Sequence, residues 1–204
     1  SVQDLSSKFQ YNDWQSLEAL LQAAPEQYAA VILEPESVVP PAPGFLEKVR
    51  SLTEEYGLVL VFDEIITGFR VDMGGAQNRY GVTPDLACFG KSMANGMPIS
   101  AIVGKREIMK LMDDVFVSGT FGGETLSLAA AIATIDKLEN TNAVQRLTQI
   151  GGELKSAVNL LLDRHDMASF FHVCGPDWRP VVQALSESIP SSIAISLLRQ
   201  ELVA

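Results

Sequence analysis

Apolar and polar positions along the chain alternate between a helical period and short unbroken apolar runs. Trp14, Leu17, Leu20 and Leu21 fall on one helical face behind Asp13, a good capping residue, and Pro25 closes the segment. Ala29 to Leu33 is wholly apolar and predicts a buried strand. Pro40, Pro41, Pro43 and Gly44 make a stiff loop. Helical spacing then returns through Phe45, Leu46, Val49, Leu52 and Tyr56, with Gly57 as the stop. Leu58 to Phe62 is a second apolar run, and two such strands around a helix predict a parallel sheet covered on both faces. Leu86 to Phe89 and Ile99 to Val103 predict further strands, and Val115 to Val117 is one more apolar run. A long helix is expected from Glu124 to about Leu138, after Gly122-Gly123. From about Thr141 the texture changes to an amphipathic helix through Leu162, a strand-like Ser169–Cys174 and an apolar-periodic stretch from Ile193 to Val203. We therefore expect one domain over residues 1–140 and the start of a smaller one over 141–204. There is no initiator Met and the last periodic stretch has no cap, which suggests a piece of a longer chain.

Composition narrows the class. Asp and Glu number 25 against 15 Lys and Arg, a net charge of −10, and no basic run exists to neutralise phosphates. A nucleic-acid partner is not expected. No charge-free apolar stretch approaches the ~20 residues that span a bilayer, so no membrane partner is expected either. The 2 cysteines, Cys88 and Cys174, form no CxxC pair and suit a reducing, cytoplasmic compartment. With only 2 histidines, His165 and His172, no metal site is expected.

In open α/β sheets, ligands gather beyond the carboxyl ends of the strands. Asp63 and Glu64 follow one apolar run, Gly90 and Lys91 another, and Ser118 to Gly123 a third. Each has an ordinary reading as well: strand-end carboxylates meeting solvent, a solvated lysine, a tight turn before a helix. Their shared position, a cation and an anion at one sheet edge, is what a charged ligand needs. Gly90-Lys91-Ser92 also resembles the end of a phosphate-binding loop, but Asp85 stands where its first glycine belongs and Leu86 to Phe89 is strand-like. A nucleotide loop is excluded on that spacing.

Leu60 to Arg70, Gly74-Gly75-Ala76-Gln77, Gly81 to Leu86 and Gly90-Lys91 together resemble the class III pyridoxal-phosphate aminotransferases. Thr67 to Arg70 and Gly74 to Gln77 are most similar to the glutamate-1-semialdehyde aminomutase branch. Pro43 to Leu46 and Ser118 to Phe121 extend the likeness over most of residues 29–140. The resemblance implies fold type I: a large domain of three α/β/α layers with a mainly parallel sheet, present in part over 1–140, and the start of a small α/β C-terminal domain over 141–204. It implies pyridoxal 5'-phosphate as cofactor and a small amino donor or acceptor as substrate. Lys91 corresponds to the lysine that carries the cofactor and moves protons at the substrate carbon. Asp63 corresponds to the partner of the ring nitrogen, and Ile65 to the apolar residue on the ring face. Thr120 corresponds to a threonine that reaches the cofactor phosphate of the neighbouring subunit, which implies a homodimer. The start of the following helix, with its free N–H groups, also favours an anion there.

Departures from the pattern bear on the substrate. Ile66 is apolar where other branches have glutamine, the loop from Glu34-Pro35 to Pro43-Gly44 is short, and Glu124-Thr125 replaces Asn-Pro. The expected function is an aminotransferase or aminomutase. The alternatives are a class III transaminase for a sugar or a polyketide- or peptide-bound substrate within a larger protein, or a non-catalytic remnant domain.

Overall fold

The computed structural model describes residues 2–185, 190, 192–196 and 200. They form two compact units, Ser1–Ser37 with Pro41–Val144, and Val38–Pro40 with Gln145–Ala204. The first unit runs α1 (Trp14–Ala23), β1 (Ala30–Leu33), α2 (Phe45–Glu55), β2 (Val59–Asp63), α3 (Gly75–Tyr80), β3 (Leu86–Phe89), β4 (Ala101–Gly104), α4 (Arg106–Met109) and α5 (Thr125–Glu139). Its strands make one sheet in the order β1-β2-β3-β4, parallel as far as β3 and antiparallel at β4. The link from Phe89 to Ala101 explains the reversal. It is shorter than the dozen or more residues that a parallel crossover takes, and it holds only a 3₁₀ turn, Lys91–Met93.

Helix α1 starts where Asp13 accepts the Ser16 N–H at 3.2 Å. Leu17 and Leu21 pack with Phe45, Leu46, Val49 and Leu52 of α2 against Val31, Leu33, Leu60 and Phe62 of the sheet. Each fully buried side chain here contributes roughly 1.5–3 kcal/mol. Further along the same sheet face, Ala87 and Phe89 meet Met93, Ala94 and Ala131. The chain's own helices thus cover one face. On the other, Ile32 pairs in register with Val61 and is 63% exposed. Continuous apolarity in β1 and β2 therefore does not correspond to cover on both faces within the described residues.

Asp85 ties the sheet to its helix. Its buried carboxylate accepts the Leu60 N–H at 2.7 Å, Arg50 Nη1 at 2.9 Å and Lys105 Nζ at 2.7 Å. Burial opposes its ionisation, but the hydrogen bonds from Lys105, Leu60 and Arg50 outweigh that and hold it below the usual carboxylate range. Gly104 is required beside it, since a Cβ there would collide with the Asp85 carbonyl oxygen.

Val115 to Val117 is not a strand. It belongs to no sheet among the described residues, and Phe116 is 92% exposed. An apolar run without a neighbouring strand has no ladder to join.

The second unit is built on α6 (Ala143–Arg164) and the antiparallel hairpin of β5 (Phe171–Cys174) and β6 (Val181–Ala184). The Asn159 amide brackets Val173, donating to its carbonyl at 2.9 Å and accepting its N–H at 2.8 Å. Gly151 leaves room for the Asp177 carbonyl, and Lys155 binds the Asp177 carboxylate at 2.5 Å. The helix expected from Ile193 to Val203 lies largely outside the described residues. No helix among the described residues is long and apolar enough to cross a membrane.

Candidate active site

Strands β2 and β3 are parallel, so their carboxyl ends deliver consecutive residues to one edge of the sheet. Asp63 closes β2 and pairs in register with Cys88. Both are half-buried and lie on the sheet face opposite Phe62 and Ala87. The Cys88 thiol is pushed up first by burial and then by the Asp63 charge, which places that charge close to the sulfur. Asp63 Oδ1 accepts the Ile65 N–H at 3.0 Å, and Oδ2 has no hydrogen-bond partner among the described residues.

Lys91 follows β3 after Gly90. Its φ of 40° lies in the left-handed region that side chains other than glycine rarely adopt, and such strain gathers at functional sites. The turn is held by the Met93 N–H donating to the Gly90 carbonyl at 3.0 Å and the Asn95 N–H to the Lys91 carbonyl at 3.1 Å. The exposed Lys91 amine has no ion-pair partner among the described residues. Ile65 stands beside this turn, with Cγ2 3.6 Å from the Cβ position at Gly90. Asp63, Ile65 and Lys91 are therefore gathered at one edge.

Thr120 makes no hydrogen bond to any of the three among the described residues. It lies in the exposed loop before α5, which with Pro98, Ile99 and Ser100 lines an open concavity of about 600 Å³. The start of α5 is also not free for an anion. Glu124 accepts the Leu126 N–H at 2.8 Å and the Ser127 N–H at 2.7 Å with its own carboxylate. The Ser127 and Leu126 N–H groups hold the Glu124 carboxyl below its ordinary range. An anion at this end would have to use the loop, not the helix N–H groups that Glu124 occupies.

The two adjacent carboxylates at the end of β2, Asp63 within it and Glu64 just after it, have opposite fates. Glu64 is 0% exposed, not a strand-end charge meeting solvent. Its Oε2 accepts the Thr67 hydroxyl at 2.5 Å and the Ala76 N–H at 2.8 Å, and its Oε1 accepts the Gln77 N–H at 2.9 Å. Gly75, at φ 77°, has no room for a side chain, because a Cβ would fall 2.5 Å from Glu64 Oε2. Residue-by-residue reading misses Glu64, Thr67 and Gly75 as a unit. The one local signal is the Gly74-Gly75 pair ahead of two N–H donors.

Chemically, the edge offers an unpaired amine able to bond a carbonyl carbon and a carboxylate with one open oxygen able to face a cation. Those are the two groups that a charged aldehyde bearing a basic ring nitrogen requires, so the residues present fit pyridoxal phosphate.

Comparison with known proteins agrees with this geometry. A family model described as aminotransferase class-III matches residues 3–175. Over 155 residues the chain is 46% identical to a glutamate-1-semialdehyde 2,1-aminomutase of Pelotomaculum thermopropionicum, covering 72% of this chain and 36% of that protein. Over 182 residues it is 40% identical to a 3-aminobutyryl-CoA aminotransferase of Cloacimonas acidaminovorans, covering 86% of this chain and 44% of that protein. Among solved structures, the FumI protein of Sphingopyxis sp. MTA144 in its PLP internal aldimine form matches with a TM-score of 0.80 and 31% identity, over 86% of this chain and 44% of that one. The match thus spans less than half the length of each of these relatives.

Proposed function

The chain belongs to the class III aminotransferases, and from that premise we propose that the whole protein moves an amino group on a small amino compound with pyridoxal 5'-phosphate, Lys91 and Asp63 carrying the chemistry. The observation that supports this most is the pairing of a strained, unpartnered Lys91 with a half-free Asp63 across two adjacent strand ends. When bound, the cofactor supplies a protonated ring that takes up the electron pair of a broken bond at the substrate carbon.

Lys91 would hold the cofactor through Nζ, and the same amine would accept and return a proton at the substrate carbon. Asp63 keeps a proton on the ring nitrogen by placing a negative charge against it. Ile65 packs on the ring face and excludes water from it. Thr120 serves the neighbouring subunit, its hydroxyl binding the phosphate of the partner's cofactor. Exposed Val115, Phe116, Val117 and Phe121 around it support a homodimer that covers this loop. Residues 1–140 are the C-terminal part of the large cofactor-binding domain and 141–204 the start of the small one. Unpaired Cys88 and Cys174 fit a cytoplasmic setting.

Hydride reduction of the loaded whole protein followed by peptide mapping tests the assignment. The pyridoxyl label is expected on Lys91. A label on Lys105 or Lys110, or none under saturating cofactor, overturns it.

A further inference from the structure

We propose that Glu64 is a positioning residue: its buried carboxylate clamps the turn after β2 and thereby aims the Asp63 carboxylate. This rests on the reading of Asp63 as the cofactor's ring-nitrogen partner, and goes beyond it by naming what holds Asp63 in place.

The backbone argument comes first. Glu64 is fixed at three points. Its N–H donates to the Cys88 carbonyl of β3 at 2.9 Å, its carbonyl accepts the Gly68 N–H at 2.8 Å, and its side chain accepts three donors from Thr67, Ala76 and Gln77. The first bond ties the turn to the strand that leads into Lys91. The last two come from the first turn of α3, so the clamp spans from β3 to α3 across the segment that carries Ile65.

The orientation of Asp63 depends on that segment. Its Oδ1 is set by the Ile65 N–H, and Ile65 is the next residue after Glu64. A shift of the Glu64 carboxylate therefore moves Ile65, and with it the hydrogen bond that fixes Oδ1 and leaves Oδ2 open. Charge-assisted hydrogen bonds of this kind are the strong ones, and their short lengths fit that class. The glycine at position 75 exists for the same purpose, since any side chain there would displace the carboxylate. A solvated acid would need none of these features.

The chemistry of the clamp selects the test. Both oxygens of Glu64 act as acceptors, so Glu64→Gln turns an amide NH₂ against at least one donor, at the cost of an unsatisfied buried group. Thr67→Val removes one donor and leaves both backbone N–H groups, which makes it the gentler change. Thr67→Ser restores the hydroxyl.

The experiment uses the whole protein, with Asp63→Asn as the reference. Two quantities are measured well below each variant's melting temperature: the affinity of the apoprotein for pyridoxal 5'-phosphate, and the pH midpoint of the bound cofactor's visible band. Thr67→Val is expected to weaken cofactor binding about tenfold, the effect of losing one hydrogen bond to a charged group. It should also move the midpoint in the same direction as Asp63→Asn, and Thr67→Ser should return both to wild type. Glu64→Gln should move both further. A lowered melting temperature with affinity and midpoint unmoved shows a purely structural clamp and overturns the proposal. If Asp63→Asn itself leaves the midpoint unmoved, the reading of Asp63 fails and this proposal with it. A midpoint moved by Asp63→Asn but not by Thr67→Val or Glu64→Gln overturns the positioning role alone.

Discussion

Adjacent residues of one strand end can do opposite work, and Asp63 and Glu64 are such a pair. Alternation along β2 sends Asp63 to the open face, while the chain's departure from the strand turns Glu64 inward to meet three donors. Sequence alone marks both as carboxylates after an apolar run; only the distant N–H groups of Ala76 and Gln77 separate them. Cys88 offers a reporter for the charge on Asp63. Burial raises the thiol first and the Asp63 carboxylate raises it further, so a neutral residue at 63 removes the second cause and leaves the first. In a Cys174→Ser background, Asp63→Asn is expected to speed alkylation of Cys88 by iodoacetamide several-fold near pH 8, with the pH profile displaced toward lower pH. Rates that match the parent at every pH would show that Asp63 carries no charge against the sulfur.

Elements with strong periodicity and local punctuation were legible beforehand. The first helix begins at its expected cap, Asp13, and ends ahead of Pro25, because capping and proline chemistry act within a few residues. The helix expected from Glu124 to Leu138 runs from Thr125 to Glu139, with Glu124 as its cap. What local pattern could not supply was partnership at long range: β4 runs antiparallel, Val115 to Val117 joins no sheet, and Glu124 occupies the helix end expected to hold an anion. Asp85 belongs to that class. In the sequence it serves only to exclude a phosphate-binding loop; in the fold it is the buried joint of β2, α2 and the end of β4. Replacing it with Asn removes the buried one of the two carboxylates that Arg50 faces, Glu54 remaining 3.1 Å from Nε, and is expected to cost about 2 kcal/mol, Lys105 contributing less because it is half exposed. The pH dependence follows from the sign of the shift. The folded-state carboxyl lies below its unfolded value of 3.8, so its stabilisation is present above that value and is lost as pH falls through the folded one. Melting curves of wild type and Asp85→Asn should differ by a constant amount above about pH 5 and converge as the pH drops below 3.8. A gap that stays constant down to pH 2 would contradict a lowered carboxyl at this joint.

At the scale of the whole molecule, the proposed site is divided between subunits. Asp63, Ile65 and Lys91 share one edge, whereas Thr120 stands in an exposed loop and makes no hydrogen bond to them among the described residues, flanked by the solvent-facing rings of Phe116 and Phe121. A threonine serving its own chain's Lys91 would need to approach that edge; one serving a second copy would not. Mixing two crippled variants of the whole protein decides between these. Lys91→Ala is placed in one chain and Thr120→Val in the other, each first shown to be folded and poorly active alone. If Thr120 acts across the interface, one site of the hybrid dimer inherits both defects, while the other combines a sound Lys91 with a sound Thr120. Unfolding the two variants together and refolding them should then restore up to one working site per hybrid, about a quarter of wild-type activity in a statistical mixture where half the dimers are hybrids. If Thr120 acts within its own chain, every site keeps one defect and mixing recovers nothing. Refolding each variant separately and then combining them without unfolding gives the baseline, since existing dimers exchange no subunits on that path unless they dissociate. Recovery in the first protocol above that baseline places Thr120 on the partner's cofactor phosphate. Its absence, with hybrids confirmed by differently tagged chains, returns the loop to its own subunit.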